Sequence, residues 1–265
     1  MTAVLAIDFV YKIVVLSDCR VSWIRGPEKR AEDNLIKIYP VDHVGVLAFS
    51  GDLDIAKAVF TRIRKEPQRG LGNSLALQYA TIAKEEFSKL SVNAEDAKLQ
   101  LLFAGLKNIE SIRTGTNVSI LPVGLFRFES PDFEVRQLKL AAGLGAADEI
   151  PLDVIKEIRD GLWNMGLDTK NKYAQVGIAI GALGSYMSHY GGEDVGKFIL
   201  AGIYDLESFG WQQYGNADDV HLTVEGGRPV LHDPRRELKV KLKTIFEYSP
   251  AKDDPQELKI ESPFR

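Results

Sequence analysis

The sequence predicts an α+β fold, a four-layer αββα sandwich in which two stacked, mostly antiparallel sheets lie between helix pairs. Three observations lead there. The chain opens on two β-branched apolar runs, residues 3–8 and 13–17, separated by the short connection Phe9-Val10-Tyr11-Lys12, which reads as a hairpin. Strand and helix signals then come in blocks: strands, two helices, strands, two helices, strands. Two helix pairs covering two stacked sheets is the economical way to bury all the apolar faces. Finally, no linker or internal repeat divides the 265 residues, enough for one large domain with a full core.

After the opening hairpin, residues 23–33 are polar, carry Gly26-Pro27, and read as a loop. A second hairpin follows, 35–39 and 44–49, about a Pro40-Val41-Asp42 turn. Ser50-Gly51-Asp52 breaks into a helix with Asp52 as N-cap and Ile55, Val59 and Ile63 on one stripe. A loop over 67–72 ends it, and a longer helix starts near Asn73 with Tyr79, Ala83, Phe87 and Leu90 on its apolar side. Strand signals return at 99–106, 117–121, 124–128 and 135–141. Gly143-Leu144-Gly145 marks the turn into a helix over 151–165, and a glycine-interrupted helix covers about 171–187. Strands resume at 198–204 and 221–224, with 238–246 a further candidate. Residues 249–265, with their prolines and charges, read as a loosely held tail.

Composition bounds the function. Hydrophobic content of 45% beside 26% charged residues is ordinary for a soluble globular protein. A net charge of -4 gives no electrostatic reason to expect nucleic acid. The basic cluster at 235–243 alternates charged and apolar residues from Leu238 on, as a strand with a solvated face does. One cysteine excludes an internal disulfide and fits a reducing cytoplasm. No apolar run is long enough for a membrane span, and no charged leader opens the chain. The four histidines lack metal-ligand spacing, so neither metal nor cofactor is expected. Residues 191–197 match the spacing of a phosphate loop, but Phe198 replaces the required Ser or Thr. Gly143-Leu144-Gly145 lacks the third glycine of a dinucleotide loop. Cys19, apolar-flanked and far from any histidine in sequence, reads as a buried thiol.

The chemistry concentrates at the first strand. Met1 precedes a small residue, so its removal is expected, leaving Thr2 as the chain terminus. A terminal threonine carries its own base, because its α-amine, with a pKa near ~8, accepts the hydroxyl proton at neutral pH. A turn centred between Val10 and Tyr11 sets Thr2 opposite Cys19 and beside Asp18. Nucleophile, base and carboxylate then meet at one strand end.

Those residues carry a resemblance. The opening Thr2-Ala3-Val4-Leu5-Ala6-Ile7, followed by Ser17-Asp18-Cys19-Arg20-Val21-Ser22, resembles the start of proteasome β subunits and their bacterial relatives, which are N-terminal nucleophile hydrolases. The likeness runs on through Asn34-Leu35-Ile36-Lys37-Ile38-Tyr39-Pro40, Ser50-Gly51-Asp52, residues 101–105 and residues 141–146. It implies an N-terminal nucleophile hydrolase domain over 1–228 followed by a C-terminal extension, 229–265. It implies a homo-oligomer, either a closed ring or a helical stack, and a peptide or protein substrate if the site is active. It implies Thr2 as nucleophile, Asp18 as orienting carboxylate and the Gly51 N–H as oxyanion donor. Asn34 stands where active relatives carry a lysine whose charge lowers the threonine's proton affinity. Lys37, three residues on, is expected to point to the opposite face of the strand. Leu144 stands in the place of a serine near the amine, as Met187 and Tyr190 stand for a later aspartate and serine. Two functions follow: a threonine-type amide hydrolase with eroded machinery, or an inactive assembly subunit that keeps only the fold.

Overall fold

The computed structural model describes residues 3–8, 12–25, 28–41, 44–91, 97–106, 123–164, 181, 198–205, 209–215, 221–225, 228–233 and 238–248. In chain order they form β1 (Ala3–Asp8), β2 (Lys12–Asp18), β3 (Arg20–Arg25), β4 (Glu28–Asp33), β5 (Ile38–Val41) and β6 (Gly45–Gly51). Helices α1 (Leu53–Lys65) and α2 (Asn73–Leu90) follow, then β7 (Leu99–Leu106), β8 (Val123–Glu129), β9 (Arg136–Leu138) and β10 (Ala141–Gly145). A 3-10 turn (Ala146–Glu149) leads into α3 (Leu152–Asn164). The last strands are β11 (Phe198–Asp205), β12 (Phe209–Gly215), β13 (His221–Glu225), β14 (Arg228–Asp233) and β15 (Leu238–Lys241). The strand expected over 117–121 lies outside the described residues, as does all but Gly181 of the helix expected over 171–187.

Two five-stranded antiparallel sheets organise the chain, one in the order β10-β1-β2-β11-β12 and the other in the order β5-β6-β7-β8-β9. The opening hairpin has the expected register, from Val4 opposite Ser17 to Asp8 opposite Ile13. Period-2 alternation splits its side chains between two cores. Val4, Ala6, Ile13 and Val15 join Ile38, Val46, Ala48, Leu102 and Leu125 of the other sheet in one buried cluster. Leu5, Ile7, Val14 and Leu16 bury instead with Ala146, Ala147 and Ile155, on the side of α3. The other face of the second sheet packs against α1 and α2, where Phe103 meets the Tyr79 ring edge-on at 5.3 Å. Helix α1 buries the predicted stripe Ile55, Val59 and Ile63, and Asp52 caps it by accepting from the N–H groups of Asp54 and Ile55. Helix α2 buries the predicted Tyr79 and Ala83 together with Leu75, Ala76, Ala80 and Ile82, whereas Leu90, placed on its apolar side by periodicity, is exposed.

The segment 23–33 corrects the reading as a loop, because β3 and β4 form a two-stranded ribbon in the register Arg20 opposite Asp33. Apart from Ala31, β4 has no apolar residue, so no hydrophobic pattern announces it. Main-chain pairing and the Arg20–Asp33 fork at 2.9 and 3.0 Å hold it instead. A bare hairpin is marginal in water, and this one is also tied at its base by the Leu35 N–H donating to Cys19 O at 2.9 Å.

The expected division at residue 228 falls at the start of β14, which pairs with both β13 and β15. Beyond β15, Ile245 and Tyr248 are buried in the core that also holds α1 and α2. At the end of β6, Gly51 adopts φ +114, and a Cβ there would sit 2.1 Å from Lys98 O. Gly51→Ala is therefore expected to lower stability by more than about 2 kcal/mol, measured by urea denaturation. An unchanged midpoint would show that the β6–α1 junction relaxes at little cost.

Candidate functional site

Asp18 ends β2, has no solvent-exposed surface and is held from three directions. Its Oδ1 accepts from the Ala3 main-chain N–H at 2.9 Å and from Lys37 Nζ at 2.8 Å. Its Oδ2 accepts from the Arg20 N–H at 3.0 Å. The Ser17 hydroxyl donates to the Asp18 carbonyl at 3.0 Å. The Asp18–Lys37 pair is an ion pair with side chains 0% and 2% exposed. Thr2 lies outside the described residues, but its carbonyl carbon is bonded to the Ala3 nitrogen that Asp18 holds. The anchored pair thus lies one peptide unit from the threonine.

Lys37 overturns an expectation. It does not point away from the site; its ammonium stands against Asp18, whereas position 34 holds an uncharged asparagine. The alternation argument fails because residues 34–37 are not a strand: β5 begins only at Ile38. Leu35, Ile36, Lys37 and Ile38 are all buried, at 1%, 3%, 1% and 0% exposure. Asn34 is engaged elsewhere. Its Nδ2 donates to Glu32 Oε2 at 2.6 Å, and its carbonyl accepts from the Lys243 N–H at 2.7 Å. Asn34 Oδ1 is buried with no hydrogen-bond partner among the described residues. One sequence signal was available: a lysine inside the apolar run Leu35-Ile36-Lys37-Ile38 must be paired if buried. If Lys37 already holds the charged position, Asn34→Lys is expected to leave hydrolysis of peptide substrates within about twofold of wild type. A tenfold gain would return the role to position 34.

The direction of the Gly51 N–H follows from the ladder of β6. Antiparallel ladders alternate the direction of successive N–H groups. The Asp52 N–H donates to Lys98 O at 2.7 Å, towards β7, whereas the Phe49 N–H donates to Lys37 O at 3.3 Å. The Gly51 N–H therefore faces the Lys37 side of β6. Opposite Ala3 on β1 stands Gly145, whose N–H donates to Gln100 Oε1 at 2.8 Å. Leu144 is fully buried between the two sheets, opposite Val4, and offers no polar group. Met187 and Tyr190 lie outside the described residues. Cys19 is buried, and burial, reinforced by the Asp18 charge, drives its thiol far above the ordinary range; it is no thiolate nucleophile. Among the described residues, no group of three or more His, Cys, Asp or Glu side chains is placed to hold a metal. No helix among them is long and apolar enough to cross a membrane.

Two antiparallel sheets packed through a shared core, with a buried carboxylate held against the first strand, give a proteasome-β-like fold. Solved structures support this at the level of fold. The chain is similar to Anbu (ancestral beta-subunit) from Yersinia bercovieri, at 15% identity over 82% of this chain and 88% of that one, with a TM-score of 0.53. It is similar also to an Anbu (Gly-1) mutant from Hyphomicrobium sp. strain MC1, at 14% identity over 82% and 89% of the two chains, with a TM-score of 0.53. No protein-family model and no curated protein sequence matches the chain.

Proposed function

We propose that the chain is a threonine-type amide hydrolase that uses Thr2 once that residue is the chain terminus. The buried Asp18–Lys37 pair carries the reading. Burying an ion pair stabilises little compared with an apolar pair of the same volume, so its placement beside β1 is best accounted for by a chemical role. Thr2 Oγ attacks the substrate carbonyl, and the Thr2 α-amine takes the hydroxyl proton and passes it to the leaving amine. The Lys37 charge lowers the proton affinity of that amine and hydroxyl, while Asp18 orients Lys37 and anchors Ala3. The Gly51 N–H stabilises the oxyanion. Water, deprotonated by the same amine, then releases the acyl group from Thr2.

The reading extends to the remaining architecture: a second helix beside α3 completes four αββα layers, and subunits join in a closed ring or helical stack in the cytoplasm. One observation favours an inactive assembly subunit instead. Leu144 places a hydrocarbon where the resemblance implies a serine near the amine. Intact mass spectrometry, with and without an electrophilic peptide, separates the two. A chain beginning at Thr2 that gains one inhibitor mass supports catalysis; a chain retaining residues before Thr2, and unlabelled, is the assembly subunit.

A further inference from the structure

Lys37 reaches Asp18 from the irregular segment just before β5, which meets the second large sheet through Lys37 O. The backbone of residues 34–37 is held from two sides. On one side the Leu35 N–H donates to Cys19 O at 2.9 Å, and Lys37 O accepts from the Phe49 N–H at 3.3 Å. On the other, the Ile36 N–H donates to Lys243 O at 2.9 Å, and the Lys243 N–H donates to Asn34 O at 2.7 Å. This second pair comes from residues 242–248, a strap following β15 and far removed in sequence.

Tyr39 joins strap and segment. Its hydroxyl donates to Ile36 O at 2.6 Å and accepts from the Ile245 N–H at 2.7 Å, across 206 positions of sequence. Burial holds the phenol above its ordinary range, so it stays protonated and remains a donor. The strap is itself firmly seated. Leu242, Ile245 and Tyr248 are 0%, 0% and 2% exposed. Thr244 and Glu247 close a turn, with both the N–H and the hydroxyl of Thr244 donating to Glu247 Oε2. Lys57 Nζ of α1 donates to Tyr248 O at 3.1 Å, and the Phe246 ring lies edge-on to Tyr39 at 6.1 Å.

We propose that the strap 242–248, acting through the Tyr39 hydroxyl, is the positioning element that seats Lys37 on Asp18. An ammonium on a flexible four-carbon stem keeps a fixed contact only where its main chain is fixed, and irregular backbone needs outside partners to be fixed. Tyr39 is thus a positioning residue, and the charge facing Asp18 is set by a segment 206 positions away in sequence. The catalytic consequence rests on the function proposed above; the seating of Lys37 does not.

Tyr39→Phe tests this, because it keeps the ring and removes only the hydroxyl. Lys57→Met, which releases the end of the strap without touching Tyr39 or Lys37, is the second variant. Three readouts apply: amide exchange at Leu35 and Ile36 against Val15 in β2, the 15N signal of the Lys37 ammonium, and the pH profile of peptide hydrolysis. In Tyr39→Phe, exchange at Leu35 and Ile36 is expected to quicken about tenfold with Val15 unchanged, and the Lys37 signal to shift or broaden. Lys57→Met is expected to do the same to a smaller degree. The rate constant kcat should fall about tenfold at constant KM. The acid limb should move to higher pH, because an amine with less positive charge nearby holds its proton more tightly. Altered exchange and an altered Lys37 signal in a protein without hydrolysis would support the seating and sink the proposed catalysis. An unchanged Lys37 signal in both variants would overturn the strap proposal, whatever the activity.

Discussion

Lys37→Met is expected to lower kcat/KM for peptide hydrolysis by about 10²–10⁴-fold, the scale of losing a charge that acts on proton transfer. The Met side chain refills the space of the lysine stem, so packing changes little. On the proposed mechanism, the loss arises because the ammonium that Asp18 holds at 2.8 Å no longer lowers the proton affinity of the nucleophile and its base. Stability should also fall, by about 3–5 kcal/mol, because Asp18 is left buried without its counter-charge. Both effects in one variant would confuse catalysis with folding. The double variant Asp18→Asn/Lys37→Met separates them. The neutral amide it places at position 18 needs no counter-ion and still accepts from one of the main-chain N–H groups now held by Asp18. The double variant should recover most of the lost stability while staying as inactive as the single. If it regains activity together with stability, Lys37 is a structural lysine.

Thr2→Ala is expected to abolish hydrolysis and labelling by an electrophilic peptide, with activity at least about 10⁴-fold below wild type. The thermal midpoint should stay within about 2 °C, since Asp18 still anchors the Ala3 main-chain N–H. Thr2→Ser should keep part of the rate, as it retains both hydroxyl and amine. Turnover that survives Thr2→Ala would locate the nucleophile elsewhere.

The parts of this site that were legible in sequence depend on neighbouring residues alone. The hairpin β1–β2 is specified by a short connection and two alternating runs, so the register that brings the Ala3 N–H to Asp18 followed from counting. Helix α1, its Asp52 cap and its buried stripe are likewise local: the cap accepts from the N–H groups two and three residues on, and the stripe repeats with the helical period. The ribbon β3–β4 was not legible, because β4 carries Ala31 as its one apolar residue and so leaves no period-2 trace, and the hydrogen bonds that hold the ribbon carry no residue preference.

Lys37 shows where counting ends. Its side-chain direction was inferred from strand alternation, a rule valid only for backbone that is in a ladder. Whether residues 34–37 joined one was decided by partners remote in sequence: Cys19 O, the N–H and carbonyl of Lys243, and the Tyr39 hydroxyl shared with Ile245. The residue types at the first strand, Thr2 with Asp18, were therefore set by the sequence itself, as was the stacking of alternating strands into two sheets with a common core. Which cation faces Asp18 was decided only in three dimensions. An irregular segment takes its conformation from whatever backbone groups lie within hydrogen-bond reach, and those become neighbours only after the chain has folded.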